Sequence, residues 1–117
     1  MLAKQRRLVK ERDFKRVNAL GRSFFSSQFK IKVAKNDLDQ SRFAVVTSTK
    51  LSKKAVVRNR LRRQASEILR LSANRAVGGA DVVVWVKPPA IGAPYQQLEA
   101  DLLGLLEKAK VLGPVKR

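Results

Sequence analysis

Residues 50–70 read KLSKKAVVRNRLRRQASEILR, and the way this stretch folds decides how the rest of the chain is arranged. Lys50, Lys53, Lys54, Arg58, Arg60, Arg62, Arg63 and Arg70 stand here against a single acid, Glu67. At about 100° per residue, Val57, Leu61, Ala65, Ile68 and Ser72 fall on one stripe, while Asn59, Arg62, Arg63 and Arg70 point away. The pattern predicts a helix with an apolar floor and a cationic roof. Ser52 is the N-cap candidate, but it lacks the Glu or Gln three residues on that would complete a capping box, so a later start fits equally well.

The roof is too dense in charge to be an ordinary solvated face. Lys54, Arg58 and Arg62 follow one another at i, i+4, where like charges repel by about 0.2–0.5 kcal/mol per pair. An anionic partner would relieve that repulsion. Arginine outnumbers lysine in the centre of the stretch, which suits bidentate contact with phosphate oxygens or guanine edges.

Outward from this helix, Arg42 to Ser48 (RFAVVTS) reads as an apolar strand on its N-terminal side. On its C-terminal side, after Val77 to Ala80, DVVVWVK at 81–87 is an unbroken apolar run that predicts a central strand with Trp85 in the core. The strand, helix, strand unit has the form of a parallel crossover. Further upstream, Gln28 to Lys35 alternates, with Phe29, Ile31 and Val33 on one face and Lys30 and Lys32 on the wet one. The turn signal KNDLDQS at 35–41 makes this strand and RFAVVTS an expected hairpin. Ser23 to Ser26 is a short, weaker strand. Glu11 to Leu20 reads as a helix, with acids in its first turn, Phe14, Val17 and Leu20 as its stripe, and Gly21 as C-cap. Beyond Pro88, Pro89, Gly92 and Pro94, a last helix carries Tyr95, Leu98, Leu102, Leu105, Leu106 and Ala109, ending at Gly113 and Pro114. The expectation is one domain over residues 1–117, with 1–10 and 112–117 as flexible tails. Its class is α/β (α+β): a two-layer sandwich around a four-stranded sheet in the order α-β-β-β-α-β-α.

Composition restricts the function. The chain has 117 residues, 44% of them hydrophobic, 26 Lys and Arg against nine acids, and a net charge of +17, which calls for a polyanionic partner, nucleic acid first. It contains neither Cys nor His. Disulfides, thiolate metal sites and imidazole bases are thereby excluded. The acids Glu11, Asp13, Asp37, Asp39, Glu67, Asp81, Glu99, Asp101 and Glu107 are scattered without metal-binding spacing, so no catalytic residue and no protein-held metal or cofactor is expected. No apolar run approaches the ~18 residues of a membrane span, and the N-terminus lacks the apolar centre of a signal peptide. A cytoplasmic protein without small-molecule substrate or membrane contact is expected.

The string KKAVVRNRLRRQASE at 53–67 follows a strand ending in TSTK at 47–50 and precedes GADVVVWVKP at 79–88. In that order it resembles the protein subunit of bacterial ribonuclease P, and LVKERDFKRV at 8–17 resembles that family's first helix. The resemblance implies a small basic protein that binds a large catalytic RNA and assists removal of the 5′ leader from precursor tRNA. The RNA would use the Mg²⁺, and the protein would be part of an endoribonuclease in which it carries no chemistry. Also implied are a left-handed crossover around the basic helix, although such connections are right-handed in about 98% of cases, and a fold shared with a domain of a small-subunit ribosomal protein. Position by position, Arg58, Asn59, Arg60, Arg62 and Arg63 match the RNA-contacting motif, with Lys53 and Lys54 in its basic approach. Phe14 matches the helix aromatic associated with the leader, and Lys30 and Lys32 lie on the same prospective cleft. The chain departs from the family pattern at Asn18, Lys32 and Ser66.

Other readings stay open at this point. Phe14 is as well explained as an ordinary core aromatic as by stacking on a base. A structural ribosomal protein, or another RNA-binding protein without a role in tRNA processing, would share the size, charge and fold class. A membrane-surface role is weaker, since the apolar stripe holds Ala65 and Ser72 and no bulky aromatic.

Overall fold

The computed structural model describes residues 2–113, and its helices and strands follow the predicted order. The first helix, α1, spans Glu11–Leu20 with Glu11 and Asp13 in its first turn and Val17 buried. Gly21 does cap it, but at φ −73 and not in the left-handed region. Space is the reason for glycine here: a Cβ at Gly21 would lie 2.3 Å from the Val17 carbonyl oxygen.

Strands β1 (Arg22–Phe25), β2 (Phe29–Lys35), β3 (Arg42–Val46) and β4 (Ala80–Val86) form one sheet in the order β1-β2-β4-β3. β4 is central, as its unbroken apolar run predicts, antiparallel to β2 and parallel to β3. The expected hairpin between β2 and β3 does not form; β2 pairs with β1 instead. The physical reason lies in the 36–41 connection, which braces the start of β4. Asn36 N–H donates to the Gly79 carbonyl at 2.7 Å, and the Ser41 hydroxyl donates to the Val77 carbonyl at 2.6 Å. Gly78 passes so close that a Cβ would lie 2.1 Å from the Asp39 carbonyl oxygen. These contacts hold β4 between the two strands.

Helices α2 (Ala55–Ser72) and α3 (Tyr95–Lys108) make one layer. Beneath them Phe29, Ile31, Phe43, Val82 and Val84 pack against Leu61, Ile68, Leu69, Leu98, Leu102 and Leu106 in the main core. α1 lies across the opposite face over a smaller cluster of Leu8, Val17, Ala34 and Val83. That second face is only partly covered.

Two expectations about the margins are corrected. Residues 2–10 are not left as a free tail: Leu2 and Leu8 are buried, and Leu8 N–H donates to the Phe43 carbonyl at 2.9 Å, covering the β3 edge. Their lack of periodicity hid two isolated anchors. At the other end α3 stops at Lys108, short of Gly113, and Val111 and Leu112 turn into the core. Pro114 and the rest of the expected C-terminal tail lie outside the described residues. Trp85 does join a core, the smaller one on the partly covered face, where it stands opposite Lys30 and is half-buried.

Candidate nucleic-acid interface

α2 begins at Ala55, later than Ser52, with Lys54 as N-cap, no side-chain cap and no acid in its first turn. The Ser52 hydroxyl instead accepts the Lys54 N–H at 3.1 Å. A helix start normally gathers acids, because its free N–H groups carry partial positive charge. Here it gathers exposed Lys53 and Lys54, leaving both charges and N–H donors to an anion from outside. Leu61, Ala65, Ile68 and Ser72 are buried as the stripe predicts, joined by Leu69, while Val57 is half-buried.

The roof residues Asn59, Arg60, Arg62 and Arg63 are exposed. Arg62 donates to the Asn59 side-chain oxygen at 2.5 Å, so the two are presented as a unit. Arg58 is half-buried, its guanidinium donating to the Ser52 carbonyl at 2.8 Å and tying the approach loop to the helix. Arg70 is held by Glu67 at 2.5 Å, a contact that raises the Arg70 pKa and lowers that of Glu67.

On the partly covered sheet face, Lys30 places its ammonium 5.6 Å from the Phe25 ring centre and 5.1 Å from that of Trp85. These are cation–π distances. Phe25, on the edge strand, is 62% exposed, an unusual setting for a phenylalanine and one suited to stacking. Sequence reading missed both aromatics; the signal was the alternation that puts Phe25, Lys30 and Trp85 in one row across β1, β2 and β4. Lys32 donates to the Asn18 carbonyl at 2.8 Å, so two of the departures from the family pattern meet, the lysine satisfying the C-terminal end of α1.

A buried carboxylate holds α1 over this face. Asp81 is fully buried and accepts from Arg42 Nε at 2.8 Å, Arg42 Nη2 at 2.7 Å and Asn36 Nδ2 at 2.8 Å, and it also pairs with Arg16 of α1. Burial opposes its ionisation, but the hydrogen bonds from Arg42 and Asn36 and the charges of Arg42 and Arg16 outweigh that, holding its pKa below the ordinary carboxylate value.

Phe14, half-buried, lines a recess of about 240 Å³ together with Arg7, Leu8, Ala44, Arg62 and Ser66. The structure thus brings the aromatic of α1 and an arginine of α2 to one hollow at the β3 edge. Lys30 and Lys32 lie further along the sheet face. Among the described residues no group of three Asp or Glu is placed to hold a metal ion, and no helix is long and apolar enough to cross a membrane.

A family model described as Ribonuclease P matches residues 2–110. The chain belongs to that family. It is 37% identical over 113 residues to the ribonuclease P protein component of Pseudanabaena sp., covering 96% of this chain and 97% of the relative. The component from Chloroflexus aggregans is also 37% identical, over 91% of this chain and 78% of the relative. Among solved structures, the RNase P protein of Staphylococcus aureus superposes with a TM-score of 0.84 at 28% identity, covering 92% of this chain and 98% of that one. That of Thermotoga maritima gives 0.80 at 30% identity, covering 87% and 96%. As a ribonuclease P protein component, the chain is part of an endoribonuclease holoenzyme, a ribonucleoprotein of tRNA processing, and its partner is an RNA subunit.

Proposed function

We propose that this ribonuclease P protein binds the catalytic RNA through the N-terminal half of α2 and receives the 5′ leader of precursor tRNA across the face between α1 and the sheet. Lys53, Lys54, Arg58, Arg60, Arg62 and Arg63 neutralise RNA phosphates, and Asn59 fixes the Arg62 fork. Phe14 and Phe25 offer rings to unpaired leader bases, and Lys30 holds the backbone beside them. The observation that carries this reading is the recess lined by both Phe14 and Arg62, which sets an aromatic of α1 beside an arginine of α2. Mg²⁺ and the endonucleolytic chemistry reside on the RNA, and the residues of this chain bind and orient. The holoenzyme would work in the cytoplasm.

Reconstitution tests the proposal. Purified protein, a ribonuclease P catalytic RNA and a precursor tRNA should together give cleavage at the mature 5′ end, faster at low Mg²⁺ than the RNA alone. Protein without RNA should not cleave. Site-specific cleavage by the protein alone, or no gain from adding it, would refute this division of labour.

A further inference from the structure

The edge of the sheet opposite β3 carries a second recess, of about 260 Å³, bounded by Arg22, Phe24, Val33, Lys35, Lys110 and Val111. Its apolar wall is continuous with the main core, since Phe24, Val33 and Val111 all pack there. Its rim is cationic, and the three cations come from three places: β1, the end of β2, and the turn after α3. All three are exposed, and among the described residues none of them takes part in an ion pair. The Arg22 guanidinium rests 5.7 Å from the Phe24 ring centre.

Lys110 is the telling residue. Val111 N–H donates to the Leu106 carbonyl at 2.9 Å and Lys110 N–H to the Glu107 carbonyl at 3.0 Å, the paired bonds of a Schellman ending. Lys110 occupies its left-handed position at φ 62 and is the sole non-glycine residue with positive φ among the described residues. Glycine is the residue that fits this conformation, and a side chain there works against folding stability. A lysine at such a place, on the rim of a recess with two other unpaired cations, points to a use for its charge.

We propose that this recess is a further RNA contact, in which Arg22, Lys35 and Lys110 hold a backbone phosphate while Phe24, Val33 and Val111 receive the attached sugar or base. The inference rests on the RNA-binding reading above and adds to it a second site, across the sheet from the β3 edge. Cations over an apolar wall suit a nucleotide's two halves.

The test measures melting temperature, and affinity for a precursor tRNA and for a ribonuclease P catalytic RNA across a salt series. Lys110→Gly should melt at a higher temperature than the wild type yet bind more weakly, with the slope of log affinity against log salt reduced by about 0.7–0.9 for the lost phosphate contact. Arg22→Gln with Lys35→Gln should weaken binding to the same RNA. Lys108→Gln removes one charge from the same helix end outside the recess and sets the baseline for diffuse charge. Equal behaviour of Lys110→Gly and Lys108→Gln would overturn the proposal. Arg63→Ala, run alongside, separates the two failures. If it binds weakly while the recess variants match the baseline, only the recess falls; if it too binds as the wild type does, the RNA-binding reading of α2 falls with it.

Discussion

Asp81 shows how a single buried residue, which never reaches solvent itself, sets how α1 sits on the sheet. Its carboxylate joins β4 to Arg42 of β3, to Asn36 and to Arg16 of α1, so the height of α1 above the sheet depends on it. Asp81→Asn should destabilise the fold by about 3 kcal/mol, near the lower end for breaking a buried pair because Arg42 and Arg16 both reach water. Chemical denaturation at pH 7 checks this. The pH dependence has a definite sign: the folded pKa is depressed, so the stabilisation is fully present above the unfolded value of about 3.9 and is lost as pH falls through the lower folded value. The stability difference between wild type and variant should therefore shrink in acid; a gap that stayed constant down to pH 2 would show that the carboxylate charge is not what matters.

At the scale of elements, α2 divides its residues between a buried apolar stripe and an exposed cationic face, and the division was legible in sequence because helical periodicity is strong over 18 residues. Arg62→Ala and Arg63→Ala should leave the melting temperature within a degree or two and lower the salt slope of RNA affinity by roughly 0.7–0.9 each. Arg58→Ala should also lose about 0.5–1.5 kcal/mol of stability, as its hydrogen bond to the Ser52 carbonyl disappears. Equal stability losses in all three variants would contradict this partition. What sequence reading did not supply was pairing. Nothing in KNDLDQS distinguishes a hairpin turn from a loop that lets β4 insert, because the deciding contacts, Ser41 with Val77 and Gly78 with Asp39, join residues more than thirty positions apart. Which of the two cores Trp85 joins was hidden for a related reason: in an all-apolar strand both faces look alike until the partner row, with Lys30 opposite it, is known. The charge, size and fold class also fit a structural ribosomal protein, and the ordered motifs around Arg58, Asn59 and Arg60 are what separated the two.

Across the whole molecule, a net charge of +17 makes any loss of a cation weaken RNA binding somewhat, so the separate roles of the surfaces must be read from differences between ligands and from coupling. Phe14→Ala and Phe25→Ala should weaken binding of precursor tRNA by about 1–3 kcal/mol if each ring stacks on a base, with mature tRNA little affected. Phe25 is largely exposed, so its variant should keep the wild-type melting temperature, whereas Phe14 packs on the smaller core and its variant should melt earlier. Phe25 stands on the edge strand β1 and Arg63 on the exposed face of α2, and their double variant should be additive within about 0.5 kcal/mol. Phe14 and Arg62 line the same hollow, so a strand running from one to the other should couple them by more than that, detectably with precursor tRNA and not with mature tRNA. A double-mutant cycle on the reconstituted holoenzyme measures both pairs. Additivity for Phe14 with Arg62 would mean that leader and catalytic RNA meet the protein on independent surfaces, and the continuous path from aromatic face to cationic helix would have to be abandoned.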